Sequence, residues 1–206
     1  MISDTYLTIA APAEGLYKDK GSRFLAFAYP IYSETDVKPI VDALRAEHYA
    51  ARHHCYAWRL GIEASEGGVR FRANDDGEPA GSAGRPILGQ LLSRELTNVL
   101  VVVVRYFGGI KLGVPGLIAA YKDAAADALA NAEIVERTEN REVVVDFPYL
   151  AMNRVMKVVK DMEPRVLRQD FDISCRMRLS IRLRDAEALA ERLGGIDGVR
   201  VVSLSS

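Results

Sequence analysis

Two glycine-rich segments carry most of the residues that could do chemistry. The first runs from Asp75 to Pro86 and reads Asp-Asp-Gly-Glu-Pro-Ala-Gly-Ser-Ala-Gly-Arg-Pro. Its carboxylates could bind Mg²⁺ or act as general acids and bases. The alternative is an acidic turn whose side chains accept hydrogen bonds from backbone amides. The carboxylates concerned are those of Asp75, Asp76 and Glu78.

The second half of this segment precedes a predicted helix. Gly81, Ser82 and Gly84 would place free backbone N–H groups at the helix amino terminus, and Arg85 adds a positive charge. Such a terminus favours an anion. The segment lacks the Gly-Lys-Ser/Thr ending of a Walker A loop, so it does not predict a nucleoside triphosphate site of that type. An anion site and a close-packed structural turn both explain the glycines.

The second segment runs from Arg105 to Gly113 and follows an apolar run, 99–104, that predicts a buried strand. Arg105 and Lys111 flank Gly108 and Gly109 and could bind phosphate. The alternative is an internal ion pair. An arginine at the end of a buried strand needs a partner, so we expect Arg105 to pair with Asp75 or Asp76.

A third candidate is His53-His54-Cys55, at the start of another predicted strand. A Cys–His nucleophile pair is conceivable there. Neighbouring residues in a strand point to opposite faces, however, so His53 and His54 cannot both serve one site. A buried cysteine beside hydrogen-bonded histidines is the alternative interpretation, with His54 kept as a possible ligand residue.

The elements that must position these segments follow from hydrophobic periodicity and turn residues. In the first part of the chain we predict strands at 22–29, 54–62, 69–72 and 99–106, and helices at 33–48, 86–96 and 115–131. In the last part we predict strands at 142–147, 164–170, 173–183 and 198–204, and helices at 149–162 and 185–194. The order β-α-β-β-α-β in the last part is typical of a ferredoxin-like domain.

These elements predict an α+β protein with two domains. The run 136–141 is uniformly polar and marks the expected linker. We therefore assign residues 1–135 to the first domain and residues 142–206 to the second.

Four arginines share one parity with Ser180 between them, in and just after the predicted strand 173–183, so they would share one face of the sheet. Arginine suits RNA phosphates and stacks on bases, so this row is a candidate nucleic-acid surface; the alternative is an ordinary solvated sheet face. The row consists of Arg176, Arg178, Arg182 and Arg184.

Composition excludes several classes of protein. The chain has 206 residues and a formal net charge of −1, so no overall basic charge indicates nucleic-acid binding. Two cysteines are too few for a disulfide framework or a structural zinc site. No apolar run is long enough to span a membrane, and no secretory signal is recognisable. We expect a cytoplasmic protein without a cofactor or bound metal.

The block from Asp75 to Tyr121, together with the runs 20–24 and 53–57, resembles the IMPACT family in its bacterial YigZ-type form. The resemblance covers essentially the whole chain. One run departs from the family pattern, which commonly reads Thr-Gly-Gly-Leu-Val-Arg-Ala-Tyr where this chain reads Val-Pro-Gly-Leu-Ile-Ala-Ala-Tyr from Val114 to Tyr121. The basic residue that the family carries near Ala119 is therefore absent.

The resemblance implies a first domain like domain 2 of ribosomal protein S5, a fold shared with domain IV of elongation factor G. It implies a second domain like domain V of elongation factor G. Eukaryotic relatives of the family resemble regulators of a starvation-responsive translation kinase and compete for its ribosome-bound activator. The partners implied are RNA, the ribosome or translation factors.

Two hypotheses follow. The first is a non-enzymatic factor that binds RNA or the ribosome and is linked to regulation of translation, since no complete catalytic constellation is recognisable. The second is an enzyme or binding protein for a phosphorylated or nucleotide ligand held by the two glycine-rich segments, 75–85 and 105–113.

Overall fold

The computed structural model describes residues 4–65 and 67–205, and it is an α+β structure with two compact units. The larger unit comprises Tyr6–Ile62 and Gly67–Arg137. Within the described residues, the smaller unit comprises 4–5, 63–65 and 138–205.

The larger unit contains seven strands and three α-helices among its described residues. Its strands are β1 (Thr5–Ile9), β2 (Ala13–Asp19), β3 (Ser22–Pro30), β4 (His53–Leu60), β5 (Arg70–Asn74), β6 (Val99–Tyr106) and β7 (Ile134–Thr138). Its helices are α1 (Val37–Glu47), α2 (Gly84–Ser93) and α3 (Gly113–Ala130). Five of these strands form an antiparallel sheet in the order β2-β3-β6-β4-β5.

Strand β6 lies at the centre of this sheet, and both of its faces are covered. Val99, Val101 and Val103 pack in one core with α2 and α3, and the alternate residues Val102 and Val104 pack in a second core with α1. This two-sided burial explains why the sequence 99–104 is apolar at every position rather than at every second one. Because both faces of the strand are covered, Arg105 at its carboxyl end is also buried.

Strands β1 and β7 lie at the two ends of the sequence of the larger unit, and they pair to form a separate two-stranded sheet. Only Glu139 separates β7 from β8 (Asn140–Pro148). The run 136–141 that the sequence predicts as a linker is therefore extended rather than irregular, although the larger unit does end inside it, at Arg137.

The smaller unit continues with α4 (Met152–Met162), β9 (Arg165–Asp170), β10 (Ser174–Arg182), α5 (Leu183–Gly194) and β11 (Arg200–Ser205). Its sheet is antiparallel in the order β11-β8-β10-β9. This order confirms the predicted ferredoxin-like arrangement. The inward residues of β8 and β10, such as Val145 and Met177, pack against α4 and α5 in a single core.

Several observed elements differ from the sequence-based ones. Strands β1, β2 and β7 were not predicted; β2 alternates only between intermediate and exposed residues, which leaves little apolar periodicity to detect. Helix α2 ends at Ser93 rather than Leu96, because Glu95 adopts a left-handed conformation with φ of 55°. Strand β10 ends at Arg182, and α5 begins at the next residue. None of the helices in the described part of the chain is long and apolar enough to cross a membrane.

Candidate functional site

Asp75 holds the amino terminus of α2. Its Oδ1 accepts hydrogen bonds from the backbone N–H groups of Ala83 and Gly84, at 3.1 and 2.8 Å, and its Oδ2 accepts one from Gly81 at 2.8 Å. Burial by itself raises the pKa of this carboxyl, but the three N–H donors and the nearby Arg85 guanidinium outweigh it, and the pKa lies below the ordinary value. The carboxylate is therefore an internal anion at a helix amino terminus.

This arrangement favours a structural turn over an external anion site as the explanation of the glycines at 81–84. The N–H groups that could receive an external anion already donate to Asp75. A Cβ at Gly84 would lie 2.5 Å from the backbone nitrogen of Asn74, so glycine is required there for close packing. Ser82 is fully buried and donates to the Pro79 carbonyl. The segment is a structural turn with its own anion.

Asp76 connects the acidic loop, residues 75–78, to β4. Its Oδ2 accepts a hydrogen bond of 2.7 Å from the His54 backbone N–H, and its Oδ1 accepts one of 2.8 Å from Arg45 on α1. Its carbonyl oxygen lies 2.8 Å from His53 Nδ1. The Asp76 backbone is left-handed, with φ of 40°, a conformation that aspartate tolerates better than most residues.

Glu78 forms the buried polar centre of this region. Its Oε1 accepts hydrogen bonds from Arg105 Nη1 at 2.6 Å and from the Tyr121 hydroxyl at 2.8 Å. The Glu78 and Arg105 side chains are only 4% and 8% exposed. The Arg105 guanidinium also lies 5.5 Å from the Phe24 ring centroid. Glu78 therefore joins the acidic loop, the end of β6 and helix α3.

The prediction that Arg105 pairs with Asp75 or Asp76 was wrong. Arg105 does have an acidic partner from the acidic loop, but it is Glu78 rather than Asp75 or Asp76. The carboxylates of Asp75 and Asp76 are held by the donors described above, and the chain turns back at Gly77, with φ of 85°, before Glu78 reaches the end of β6.

Cys55 and His54 are consecutive buried residues of β4, and their side chains point to opposite faces of the sheet. The Cys55 thiol donates to the Asp75 carbonyl at 2.9 Å and lies 3.4 Å from the Tyr121 hydroxyl, and burial raises the pKa of this thiol well above its ordinary value. Burial also lowers the pKa of His54, against the opposing effect of the Asp76 carboxylate. Cys55 is fully buried and its thiol already donates to a carbonyl, and a thiol in such surroundings is a poor nucleophile, so the geometry favours a structural Cys55.

Gly108 and Gly109 serve different purposes in the second loop. A Cβ at Gly108 would lie 1.9 Å from the carbonyl carbon of Gly21, so the two backbones can approach only if residue 108 is glycine. The Gly108 N–H donates to the Ser22 hydroxyl at 3.0 Å. Gly109 faces open space but has φ of 91°, a conformation that glycine adopts readily. Gly108 thus allows the second loop to pack against the β2–β3 turn, and Gly109 allows the backbone of that loop to take a positive φ.

The two loops flank an open cleft of about 770 Å³. Three of the predicted loop residues line it: Glu78, Arg105 and Lys111. The other predicted residues of this region do not line it; they are Asp75, Asp76, Gly81, Ser82, Gly84, Arg85, His54, Gly108 and Gly109. The cleft is also lined by Arg52 and Phe107, which lie outside the candidate residues derived from the sequence, and by His53, which belongs to the predicted His53-His54-Cys55 candidate. Phe107 is 58% exposed. The sequence feature that could have identified it is its position in the Arg-Tyr-Phe-Gly-Gly run that ends β6 and follows it.

The charge balance in this cleft is positive. The Glu78 carboxylate is neutralised by Arg105, and no ion pair involving Arg52 or Lys111 occurs among the described residues. No group of three or more His, Cys, Asp or Glu residues within 4–65 and 67–205 is placed to hold a metal ion.

The first two arginines of the predicted row lie on the exposed face of β10. Arg176 makes two hydrogen bonds to Asp146, at 2.6 and 2.7 Å, and Arg178 makes two to Glu142, at 2.7 and 2.9 Å. These hydrogen bonds lower the pKa of both carboxyls. Cross-strand acids therefore neutralise this part of the row.

The other two arginines are placed differently. Arg182 ends β10 and bonds Asp4 through Nε and Nη2, at 3.1 and 2.8 Å. Arg184 is not in the strand at all; it lies in α5 and pairs with Asp185 at 3.5 Å. The structure does not bring the four arginines together as one unpaired surface, and RNA contact by them stays a prediction.

Comparison with known proteins gives consistent matches. Residues 20–129 match the family model described as the Impact N-terminal domain. The chain is similar to the IMPACT family member YigZ of Escherichia coli (strain K12), with 32% identity over 178 residues that cover 86% of each protein. It is also similar to a Saccharomyces cerevisiae protein named Protein IMPACT homolog, with 36% identity over 97 residues, 46% of this chain and 36% of that protein.

The chain is similar over almost its whole length to a solved structure. It is described as a crystal structure of a hypothetical protein, has a TM-score of 0.72 and 28% sequence identity, and the alignment covers 98% of each chain.

Proposed function

The chain belongs to the IMPACT family, and on that premise we propose that it is a non-enzymatic factor in the regulation of translation that binds RNA through the cleft of its larger unit. The observation that carries this proposal is the composition of the cleft wall. It combines two cations without ion pairs, Arg52 and Lys111, with an exposed aromatic ring, Phe107. Cations and stacking surfaces are what single-stranded RNA requires of a protein.

The internal pairing of the acidic residues supports the same role. Asp75, Asp76 and Glu78 each have hydrogen-bonded partners inside the larger unit. Their charges are thus partly compensated, and the charged residues that line the cleft are three cations, Arg52, Arg105 and Lys111, and one carboxylate, Glu78. A surface of this kind attracts phosphate even on a chain whose net charge is −1.

The exposed face of β10 is the competing RNA surface. Its arginines already pair with Asp146 and Glu142, so an incoming phosphate would have to displace a carboxylate. Arg52 and Lys111 face no such competition. We therefore favour the cleft over the arginine row of Arg176, Arg178, Arg182 and Arg184.

The test compares two double variants with the same change of charge. We expect Arg52→Gln/Lys111→Gln to weaken binding of a single-stranded oligoribonucleotide, measured by fluorescence anisotropy across a salt series. The slope of log affinity against log salt should flatten by about 0.7 for each lost phosphate contact. The control Arg176→Gln/Arg178→Gln should leave affinity and slope nearly unchanged.

The opposite result would move the RNA surface to the smaller unit. Absence of binding by the wild-type chain, to RNA and to ribosomes in sedimentation, would refute the proposal.

A second candidate is an enzyme or binding protein for a phosphorylated ligand, and one observation favours it. His53 lines the cleft, and its Nδ1 lies 2.8 Å from the Asp76 carbonyl, so Nδ1–H donates there and Nε2 is left to accept a proton. Release of inorganic phosphate from nucleoside phosphates, abolished by His53→Gln, would support this role over the first.

A further inference from the structure

Three exposed cations lie at the end of the hairpin formed by β2 and β3. Lys18 is near the end of β2, Lys20 is in the two-residue turn, and Arg23 is near the start of β3. Lys18 and Arg23 are direct partners across the two antiparallel strands. Like charges in this position repel each other and destabilise the pair of strands. Within 4–65 and 67–205, none of the three cations forms an ion pair.

The neighbours of the two opposed cations do not compensate for this repulsion. Asp19 directly follows Lys18 in β2, so its side chain points to the opposite face of the sheet. On its other side, Arg23 faces Tyr106 of β6, and the Arg23 guanidinium lies 4.9 Å from the centroid of that ring. In the smaller unit, by contrast, cross-strand acids neutralise the exposed arginines of β10. The opposed cations of the hairpin are therefore a candidate site for an external anion.

This cationic surface is continuous with the cleft. Tyr106, which the Arg23 guanidinium covers, is one of the residues that line the cleft. The hairpin also packs against the second glycine-rich loop, since the Gly108 N–H donates to the Ser22 hydroxyl at 3.0 Å. The same loop carries Lys111, a cation of the cleft wall. A strand that leaves the cleft along this loop therefore meets the hairpin cations next.

We infer that a single RNA strand bound in the cleft continues over the end of the β2–β3 hairpin, where Lys18, Lys20 and Arg23 contact its phosphates. This inference rests on the proposed RNA-binding function and adds a second group of phosphate contacts to those in the cleft. A phosphate placed between the two opposed cations attracts both and so offsets their repulsion. An acidic polypeptide would meet the same charges, but it has no bases to stack on Phe107, so RNA fits the whole surface better.

The direct test removes the two opposed cations. The probe is a labelled oligouridylate of about ten nucleotides, a length within the range of single-stranded binding sites. Lys18→Gln/Arg23→Gln should bind it about tenfold or more weakly than the wild type at about 0.1 M salt, and the slope of log affinity against log salt should flatten by about 1.4, since two contacts of about 0.7 each are lost. Fluorescence anisotropy across a salt series measures both quantities. Unchanged affinity and slope would overturn the inference.

A control with the same loss of charge lies elsewhere in the larger unit. Arg72 is in β5, the edge strand opposite β2 in the five-stranded sheet, and Lys122 is in α3. Both side chains are exposed, and neither residue lines the cleft. Arg72→Gln/Lys122→Gln should leave affinity and slope nearly unchanged. Equal losses in the two double variants would show a general influence of net charge and would overturn the hairpin site.

The stability of single variants at Lys18 gives a readout independent of RNA. Because Lys18 lies opposite another cation, Lys18→Gln should leave the urea midpoint unchanged or raise it while RNA binding weakens. Lys18→Arg keeps the charge and should bind RNA as the wild type does. A lowered midpoint in Lys18→Gln would show that Lys18 stabilises the hairpin, and equal binding losses in the two variants would show that the charge is not what binds; either result would overturn the inference.

The pattern of losses separates this inference from the proposed function. If Arg52→Gln/Lys111→Gln weakens RNA binding but Lys18→Gln/Arg23→Gln does not, the proposed function stands and this inference fails. If only the hairpin variant weakens it, the hairpin cations bind RNA and the cleft of the proposed function fails. Losses that add in the quadruple variant support one strand in contact with both surfaces. Polyglutamate that competes as well as the oligouridylate would assign the surface to an acidic polypeptide and would overturn the inference.

Discussion

Replacing Arg105 by methionine should destabilise the larger unit by about 3–5 kcal/mol, since it leaves the Glu78 carboxylate buried without its cation. Methionine keeps most of the side-chain volume, so the change removes charge and hydrogen bonding rather than packing. The short contact of 2.6 Å and the exposures of 4% and 8% place this pair among buried ion pairs. The Tyr121 hydroxyl, 2.8 Å from the same oxygen, can offset only a part of the loss.

An exposed pair in the same unit provides the scale. Arg70 and Glu34 lie 2.8 Å apart, but their side chains are 53% and 49% exposed. Arg70→Met should therefore cost less than about 1 kcal/mol. The ratio of the two effects measures burial, because both substitutions remove one arginine from one ion pair.

Urea unfolding followed by the fluorescence of Trp58 is the suitable assay. Trp58 is the single tryptophan of the chain and is buried in the larger unit, so its signal reports on that unit. A double-mutant cycle of Arg105→Met with Glu78→Gln should give a coupling energy of about 1–3 kcal/mol. Coupling near zero, or an Arg105→Met effect no larger than that of Arg70→Met, would refute the assignment of this pair as the buried centre of the site.

Two further predictions concern the loops. Asp75→Asn should cost about 2 kcal/mol at neutral pH, because backbone N–H groups lose a charged acceptor. The pKa of Asp75 is lowered in the folded state, so its stabilising contribution is present above the ordinary value of 3.8 and is lost as the pH falls through the folded-state pKa. The stability of the wild type, measured by urea unfolding, should therefore fall more steeply in acid than that of the variant. Parallel curves of stability against pH would contradict this. Gly108→Ala should lower the free energy of unfolding by about 3 kcal/mol or more, because its Cβ would clash with Gly21. Gly109→Ala meets open space and should lower it by only about 1 kcal/mol, because of the positive φ at that position. Equal urea midpoints for these two variants would contradict this prediction.

Periodicity predicted the elements that have a strong apolar pattern. Strand β6 was predicted with its observed bounds, since six consecutive apolar residues fit a strand buried on both faces. The ferredoxin-like order of the smaller unit followed from β8 and β10, which alternate buried and exposed residues. Strand β2 was missed because its side chains are only partly buried, and its pairing with β3 is determined by backbone hydrogen bonds.

The candidate site was predicted in composition but not in pairing. The sequence identified the acidic loop and Arg105, and a buried arginine does pair with that loop. It could not identify Glu78 as the partner, because the choice depends on Gly77 reversing the chain and on Asp75 and Asp76 being held elsewhere. Tyr121, one of the donors to Glu78, comes from α3, 43 residues away, so no local pattern could reveal it.

The pairing of β1 with β7 has a consequence for how the larger unit can be reused. The Ala10 N–H donates to the Glu133 carbonyl at 2.9 Å, and the Glu139 N–H donates to the Asp4 carbonyl at 2.7 Å, so the chain enters and leaves this unit at neighbouring points. A module whose ends meet can be inserted into a loop of a host protein, or circularly permuted with a short connecting peptide, without crossing its own core.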